Sequence, residues 1–237
     1  SFNTEGDLIH ESGKFFRICA GHALDLSTGQ ERKQPVIDQP EQGILGIVSR
    51  CKDNKIEILL QAKIEPGNLD KVQYSPTVQA TKSNYIGVHK GRPVPYLEKF
   101  LSQASEIISK GFQSEHGYKF YRKANDNIHV HSNHTKTIDN RFIWLSLGDL
   151  RYLLSKEHYV NMDTRSVLAT IDFIGKPLNN KEIEAFQESL STLEREMLFS
   201  SISDHDALYS TKEAYEWIKF YKKNTTIIKQ TLPLPAL

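Results

Sequence analysis

The chain has 237 residues, of which 38% are hydrophobic and 25% charged, and 30 Lys and Arg residues balance 29 Asp and Glu residues to a net charge of +1. This balance excludes a protein that holds nucleic acid through a broad basic surface, because a phosphate backbone demands an excess of positive charge on the bound face. The length predicts one large domain or two closely packed ones.

The sequence also lacks the segments that are typical of membrane and exported proteins. No apolar run approaches the roughly 20 residues that a spanning helix needs, and residues 1–13 lack the apolar core of a secretory signal. Cys19 and Cys51 are the only cysteines, too few for a disulfide scaffold. We therefore expect a reduced cytoplasmic protein with neither a membrane nor a nucleic-acid partner.

In chain order, the first predicted elements are the strands of a β-hairpin, residues 44–50 and 56–63, which flank a short polar turn. Pro66 and Gly67 mark a second turn. Apolar residues at helical spacing then predict a helix over residues 96–111. Short β-rich runs predict three further strands, at residues 118–123, 128–131 and 142–145.

Residues that favour helix N-termini predict the remaining helices. They occur at four places: Ser146 with Asp149, Asp163, Asn180, and Ser210 with Glu213. A terminal β-rich run covers residues 225–232. Because strands fill the first two thirds of the chain and helices the last third, the sequence predicts an α+β fold in which helices cover a mixed or antiparallel sheet.

Polar side chains alternate along residues 73–83, which form the most informative segment. They are Gln73, Ser75, Thr77, Gln79, Thr81 and Ser83. In a single strand they would share one face, and burying such a row without partners is unfavourable. The face therefore either lines a ligand rich in hydroxyl groups, such as a sugar, or lies in water on an edge strand.

The run Ser75-Pro76-Thr77-Val78-Gln79-Ala80-Thr81 resembles the signature of the NDP-hexose 2,3-dehydratases. Similar runs extend over nearly the whole chain, at residues 10–16, 34–46, 59–68, 72–85, 88–89, 94–98, 113–115, 121–123, 141–148 and 160–165. The resemblance implies a Nudix-like fold, with a mixed sheet flanked by helices. It implies one domain over residues 1–237 with an extended N-terminal segment at residues 1–40.

Better-known members of that family are about twice as long and resemble two tandem copies of such a unit. The single copy in this chain therefore implies a homodimer. The resemblance further implies a lyase that removes the 2-hydroxyl of a dTDP-4-keto-6-deoxyhexose in deoxysugar biosynthesis. Its 3,4-diketo-2,6-dideoxy product would pass to a downstream NADPH-dependent 3-ketoreductase. The alternative is a non-catalytic protein that binds nucleotide sugars.

The implied elimination removes the C3 proton, which the neighbouring C4 ketone acidifies, and needs a base. No cofactor is expected, and the chain has no GxGxxG fingerprint for a dinucleotide. The candidate bases are His89, which titrates near neutral pH, Tyr85, whose phenol lies close in sequence to Lys82 and Arg92, and Glu65. Each has a structural alternative: a hydrogen bond for His89, packing for Tyr85 and the support of a turn for Glu65.

Substrate contacts are expected from cations for the diphosphate, amides and hydroxyls for the sugar, and an aromatic ring for stacking. The candidates in matching motifs are Gln61, Lys63, Gln73, Ser75, Thr77, Gln79, Thr81, Lys82, Asn84, Arg92, Arg122, Trp144, Asn161 and Arg165. Exposed cations are often only solvated, and a tryptophan in an apolar strand is often part of the core.

His129, His131 and His134 have a spacing that some zinc sites use. A polar loop is the favoured interpretation, because no cysteine and no carboxylate that could support a ligand histidine lies nearby in sequence. The glutamate-rich box with which Nudix hydrolases hold magnesium is missing from the sequence. We therefore expect no metal site and no hydrolysis of the diphosphate.

Overall fold

The chain is divided by its internal contacts into two compact units, residues 1–19 with 36–171 and residues 20–35 with 172–237. The expectation of one domain over residues 1–237 stays a prediction. Apart from the side chain of Tyr85, a computed structural model describes residues 1–13, 16–85, 93–103, 105–171, 191–193, 195–197 and 210–237.

Strands and helices are mixed along the chain, which confirms the α+β class. The strands are β1 (Leu8–Ile9), β2 (Arg17–Asp25), β3 (Glu31–Asp38), β4 (Gly43–Lys52), β5 (Lys55–Lys63), β6 (Gln73–Pro76), β7 (Val78–Thr81), β8 (Glu106–Ser114), β9 (Ala124–His131), β10 (Phe142–Ser146) and β11 (Ile227–Leu232). The helices are α1 (Lys82–Tyr85), α2 (Glu98–Leu101), α3 (Leu147–Leu154), α4 (Met162–Leu168) and α5 (Thr211–Asn224).

The main sheet of the first unit has the strand order β10-β5-β4-β9-β8, with β6 beside β5 and β7 beside β4. Strands β4 and β9 run parallel, and the other pairs of this sheet are antiparallel. The predicted hairpin is confirmed as β4 and β5. Asp53 and Asn54 have φ angles of 50° and 60°, as a two-residue turn of type I′ requires.

Two apolar clusters pack in the first unit. Because successive residues of a strand point to opposite faces, the neighbours Ile47 and Val48 enter different clusters. Ile47 joins the cluster that contains Val167 of α4, and Val48 joins the cluster that contains Phe100 of α2. A Cβ atom at Gly46 would overlap the Phe100 ring, so this close approach of strand and helix requires glycine.

The helix predicted over residues 96–111 is wrong beyond its first turn. Among the residues of this range that the structure describes, only α2 is helical, and β8 follows it and pairs with β9. Ile107 and Ile108 supported the helical spacing, but β-branched residues fit strands better when a partner strand is available. The strand predicted at residues 118–123 is also wrong, because Arg122 has a φ of 53° and Phe120 makes only an isolated bridge.

The polar segment does not form one strand, because it bends at Thr77 between β6 and β7 and turns into α1 after Thr81. Strand β6 pairs with β5, whereas β7 pairs with β4. Ser75, Thr77 and Ser83 are buried, so a solvent-facing edge is excluded for these three side chains. The bend places alternate polar residues in different surroundings.

Both predicted capping boxes are confirmed, at the first turns of α3 and α5. The helix predicted from Asp163 is confirmed as α4, but its N-cap is Asn161, and Asp163 is the second residue of the helix. The predicted strands at residues 128–131 and 142–145 are confirmed as parts of β9 and β10. In the second unit, β11 confirms the terminal strand and pairs antiparallel with residues 20–25 of β2. The helix predicted from Asn180 lies outside the described residues.

Candidate active site

A hydrogen-bonded network joins four of the polar residues. Ser75 Oγ donates to Gln79 Oε1 over 2.5 Å, and Asn161 Nδ2 donates to the same oxygen over 3.2 Å and to Ser75 Oγ over 3.4 Å. Gln79 Nε2 donates in turn to Glu65 Oε1 over 2.9 Å. The network therefore ties β6 and β7 to the turn after β5 and to the start of α4.

Each end of this network is anchored. Lys63 Nζ lies 3.2 Å from Glu65 Oε1. Asn161 Oδ1 accepts hydrogen bonds from Thr164 N over 2.9 Å and from Thr164 Oγ1 over 2.8 Å. Because the amide oxygen caps α4, the amide nitrogen of Asn161 is directed towards Gln79.

Three carboxylates interact electrostatically beside the network: Asp163, Glu115 and Glu65. Burial raises the pKa of Asp163 to about 6, and the negative charges of Glu115 and Glu65 act in the same direction. The positive charges of Lys63 and His116 act in the opposite direction. The surroundings of Asp163 therefore favour the protonated form of its carboxyl group on balance.

The three carboxylates differ in their partners. Glu65 accepts from the Gln79 amide and pairs with an ammonium group, and Glu115 accepts from Asn125 Nδ2. Asp163, by contrast, makes no hydrogen bond or ion pair with any residue that the structure describes. Donors stabilise the charged form of a carboxylate, and Asp163 has no such donor among the described residues.

Asn125 connects Glu115 to the beginning of β4. Asn125 Oδ1 accepts a hydrogen bond from Gly43 N over 3.1 Å, and a Cβ atom at Gly43 would lie only 2.6 Å from that oxygen. Asn127, two residues further along the same strand, is 1% exposed, and its Oδ1 has no hydrogen-bond partner among the described residues. Alternation in β9 places both amides on one face.

A buried lysine, Lys123, also interacts electrostatically with Glu115. Lys123 Nζ donates to the Glu41 carbonyl oxygen over 2.9 Å, and Glu41 Oε2 accepts from Ser83 N over 3.0 Å. Burial lowers the pKa of Lys123, while Glu115 and Glu41 oppose that shift. The lysine thereby fixes the loop before β4 to the start of β9.

Two predicted substrate ligands are bonded to the backbone instead. Thr77 Oγ1 donates to the Leu59 carbonyl over 2.5 Å and accepts from Val48 N over 3.0 Å. Gln61 Nε2 donates to the Pro76 carbonyl over 2.9 Å. Both side chains hold the bend between β6 and β7 against the sheet.

Other predicted substrate ligands lie towards the surface. Gln73 Nε2 donates to the His158 carbonyl over 2.9 Å, and Thr81 Oγ1 lies 3.2 Å from Ser83 Oγ. Gln73 and Arg165 border a depression of about 130 Å³ that is also lined by Leu154, Lys156, His158 and Val160. The exposed side chains among the candidates are Lys82, Asn84, Arg122 and Arg165.

Trp144, the predicted stacking residue, already has a cation on its ring. The Arg50 guanidinium lies 4.0 Å from the ring centroid, and Arg50 Nη2 lies 2.6 Å from Glu57 Oε2. The indole also packs against the cluster that contains Val48. A nucleotide base that stacked on this face would have to displace Arg50.

Three of the remaining candidates, His89, Arg92 and the side chain of Tyr85, lie outside the described residues.

Two of the three histidines considered as zinc ligands contact a serine. Ser49 Oγ lies 2.7 Å from His129 Nε2 and 3.1 Å from His131 Nδ1.

His129 is buried, and His134 is exposed. Burial lowers the pKa of His129 to about 4, with a smaller contribution from His131. Within the described ranges, no group of three or more His, Cys, Asp or Glu residues could hold a metal ion.

Glu115, His116 and Asp163, which interact electrostatically in the site, are not among the candidates predicted from the sequence. Both runs that contain them, residues 113–116 and 160–165, overlap the motifs that carried the resemblance, but Asp163 was interpreted as a helix cap. Together with the amide network they supply a carboxyl group that holds a proton, carboxylates with donors, and fixed amides. Such a set can move protons on a polar ligand.

The fold and site thus define an α+β protein whose polar centre combines amides, hydroxyls and carboxyl groups. The family model for NDP-hexose 2,3-dehydratase matches residues 1–171, and the chain belongs to this family. No described helix has both the length and the apolar character to cross a membrane.

Curated relatives carry the same enzyme name. A dTDP-4-dehydro-6-deoxy-alpha-D-glucopyranose 2,3-dehydratase of Saccharopolyspora spinosa is 36% identical over 231 residues, which cover 96% of this chain and 46% of the relative. Enzymes of that name from Amycolatopsis orientalis and Streptomyces violaceoruber are each 41% identical, over 71% and 69% of this chain. The chain therefore spans about half the length of the relatives that it matches.

Proposed function

We propose that the protein is a lyase that removes the 2-hydroxyl group of a dTDP-4-keto-6-deoxyhexose and yields a 3,4-diketo-2,6-dideoxy sugar. Membership of the family and the names of the curated relatives support this function. The structural observation that carries it is the network in which Gln79 joins Ser75 and Asn161 to Glu65.

The reaction demands proton transfer rather than electron transfer. The C4 ketone acidifies the C3 proton, so a carboxylate base suffices to form the enolate, and the C2 hydroxyl leaves once it is protonated. Among the candidate bases, we place Glu65 in this role, because Gln79 and Lys63 hold its carboxylate in position. His89 and Tyr85 are the competing assignments.

In the proposed function, the polar network binds the sugar and the cations around it bind the diphosphate. Amides and hydroxyls that are fixed before the ligand arrives can bind sugar hydroxyls with little loss of conformational freedom. Lys63 and Arg165 lie within a few residues of the network in the chain, and we assign the diphosphate to them and to the exposed Lys82 and Arg122. The substrate is a small dTDP-sugar, and the enzyme works in the cytoplasm with no resident cofactor.

A homodimer is the assembly that we propose for a chain of half the relatives' length. In the second unit, α5 exposes large apolar side chains along much of its surface, with Trp217 62% and Phe220 66% exposed. Large exposed apolar patches are typical of interaction surfaces. We propose a second copy of the chain as the partner that covers this surface.

The function is tested by incubating the protein with dTDP-4-keto-6-deoxyglucose, NADPH and a 3-ketoreductase that traps the diketo product. The proposal predicts NADPH oxidation and a 2,6-dideoxy nucleotide sugar. Because the chain spans about half of its relatives, the competing function is a non-catalytic nucleotide-sugar-binding protein. That alternative predicts saturable binding in calorimetry without any product.

A further inference from the structure

The carboxylates of Asp163, Glu65 and Glu115 differ in their hydrogen-bond partners, and this difference suggests different chemical roles. Asp163 lies in the first turn of α4, two residues after Asn161, which caps the helix and donates to Gln79. Glu65 and Glu115 each accept a hydrogen bond from an amide. Asp163 accepts none within the described residues and interacts with both carboxylates through their charge.

We propose that Asp163 is the acid that protonates the departing 2-hydroxyl group, a catalytic role that rests on the proposed dehydratase function. An acid must hold its proton until the C2–O bond breaks. A carboxyl group that is partly buried, has no donor and lies near two negative charges favours its protonated form.

The charged groups that act on Asp163 belong to two segments of the chain. Lys63 and Glu65 lie at the end of β5 and in the turn that follows it, and Glu115 and His116 directly follow β8. The two glutamates favour the protonated form of Asp163, whereas the lysine and the histidine favour its ionised form. Burial has the largest effect and also favours the protonated form.

The proton balance of the cycle closes with two carboxyl groups. The base takes the C3 proton, and the electrons of that bond form the enolate with the C4 ketone. Asp163 gives its proton to the 2-hydroxyl, the C2–O bond breaks, and water leaves. The protonated base then delivers its proton to C2 while Asp163 receives the proton of the 3-hydroxyl, so both groups return to their starting states.

The role is tested with Asp163→Asn, which keeps the shape of the side chain but has no proton to give. In D₂O, the variant should still exchange the C3 hydrogen of dTDP-4-keto-6-deoxyglucose, because the base is intact, while product formation falls by roughly 10²- to 10⁴-fold. Asp70→Asn is the matched control on an exposed aspartate and should retain both activities. Retained product formation in Asp163→Asn overturns the role, as does loss of C3 exchange in a variant that still binds dTDP.

A second measurement leaves Asp163 in place and moves its titration. The pH profile of kcat should have an alkaline limb that reports the acid. Glu115→Gln removes a negative neighbour and should move that limb to lower pH, whereas Lys63→Met removes a positive neighbour and should move it to higher pH. Limbs that stay in place in both variants overturn the role. Wild-type protein that neither exchanges C3 nor forms product overturns the dehydratase function itself, and the role with it.

Discussion

The side-chain amide of Gln79 donates a 2.9 Å hydrogen bond to Glu65, while its carbonyl oxygen accepts from both Ser75 and Asn161. A single glutamine thus connects a carboxylate to a helix cap across the sheet. The amide is directed by its partners, so its position does not depend on a bound ligand. The geometry around Gln79 is therefore set by the fold.

Replacing Gln79 with Ala should weaken the binding of the dTDP-sugar by about 1–3 kcal/mol, because Glu65 and Asn161 lose a shared partner and their positions. Calorimetric titration with dTDP-4-keto-6-deoxyglucose measures the change. Gln103→Ala removes an exposed amide and serves as the matched control. Equal affinities for the two variants would show that the network does not contact the ligand.

Thr77→Val should destabilise the protein by about 1–3 kcal/mol without a direct effect on the ligand, because Val48 N and the Leu59 carbonyl lose their shared hydroxyl partner in a buried place. Thr77→Ser retains the hydroxyl and should restore most of that stability. Urea denaturation followed by circular dichroism measures both. If the Thr77→Val variant is as stable as wild type but binds the sugar poorly, Thr77 contacts the ligand directly.

His129 predicts a dependence of stability on pH. Its pKa falls from 6.5 to about 4 on folding, so the unfolded chain binds more protons between these values. The contribution of His129 is complete above about pH 6.5 and is lost as the pH falls towards 4. The full effect is about 3 kcal/mol.

This dependence is measured by comparing the free energies of unfolding of His129→Gln and wild type at pH 7 and pH 4.5. The variant should lose less stability than wild type over that interval. His134→Gln changes an exposed histidine and should behave as wild type. Identical losses for wild type and His129→Gln would contradict a buried neutral imidazole.

Replacing Trp217 with Glu should disrupt the proposed homodimer, because the charge would be buried without a partner on the exposed apolar surface of α5. Sedimentation velocity of wild type and variant measures the mass of the assembly. Lys212→Glu, at the start of the same helix, is the control for added negative charge. A wild-type protein that sediments as a monomer contradicts the dimer, and an unchanged dimer in Trp217→Glu removes α5 from the interface.

The parts of the fold with a local signal were predictable from the sequence. Two capping boxes and the hairpin around Asp53 and Asn54 are local, and the structure confirms them. The helix over residues 96–111 failed because the choice between helix and strand at Ile107 depends on β9, which lies later in the chain. Local spacing cannot report such a partner.

The candidate site divides in a similar way. Sequence motifs pointed to Ser75, Gln79 and Asn161, and the structure brings these three into one network. The sequence predicts Asp163 as the N-cap of α4, because both Asp163 and Asn161 favour that position, and only the structure shows that Asn161 occupies it. The pKa of Asp163 is raised mainly by burial and further by the charges of Glu115 and Glu65, and both causes exist only in the folded chain.

The most direct test of the dehydratase function is the mass of the nucleotide sugar after dTDP-4-keto-6-deoxyglucose carrying ¹⁸O at the 2-hydroxyl is incubated with the protein. The function predicts a dTDP-sugar that has lost one water, with the ¹⁸O label recovered in the released water. An unchanged dTDP-sugar, which a binding protein would leave, contradicts the function. Release of a sugar phosphate, which a diphosphate hydrolase would produce, contradicts it as well.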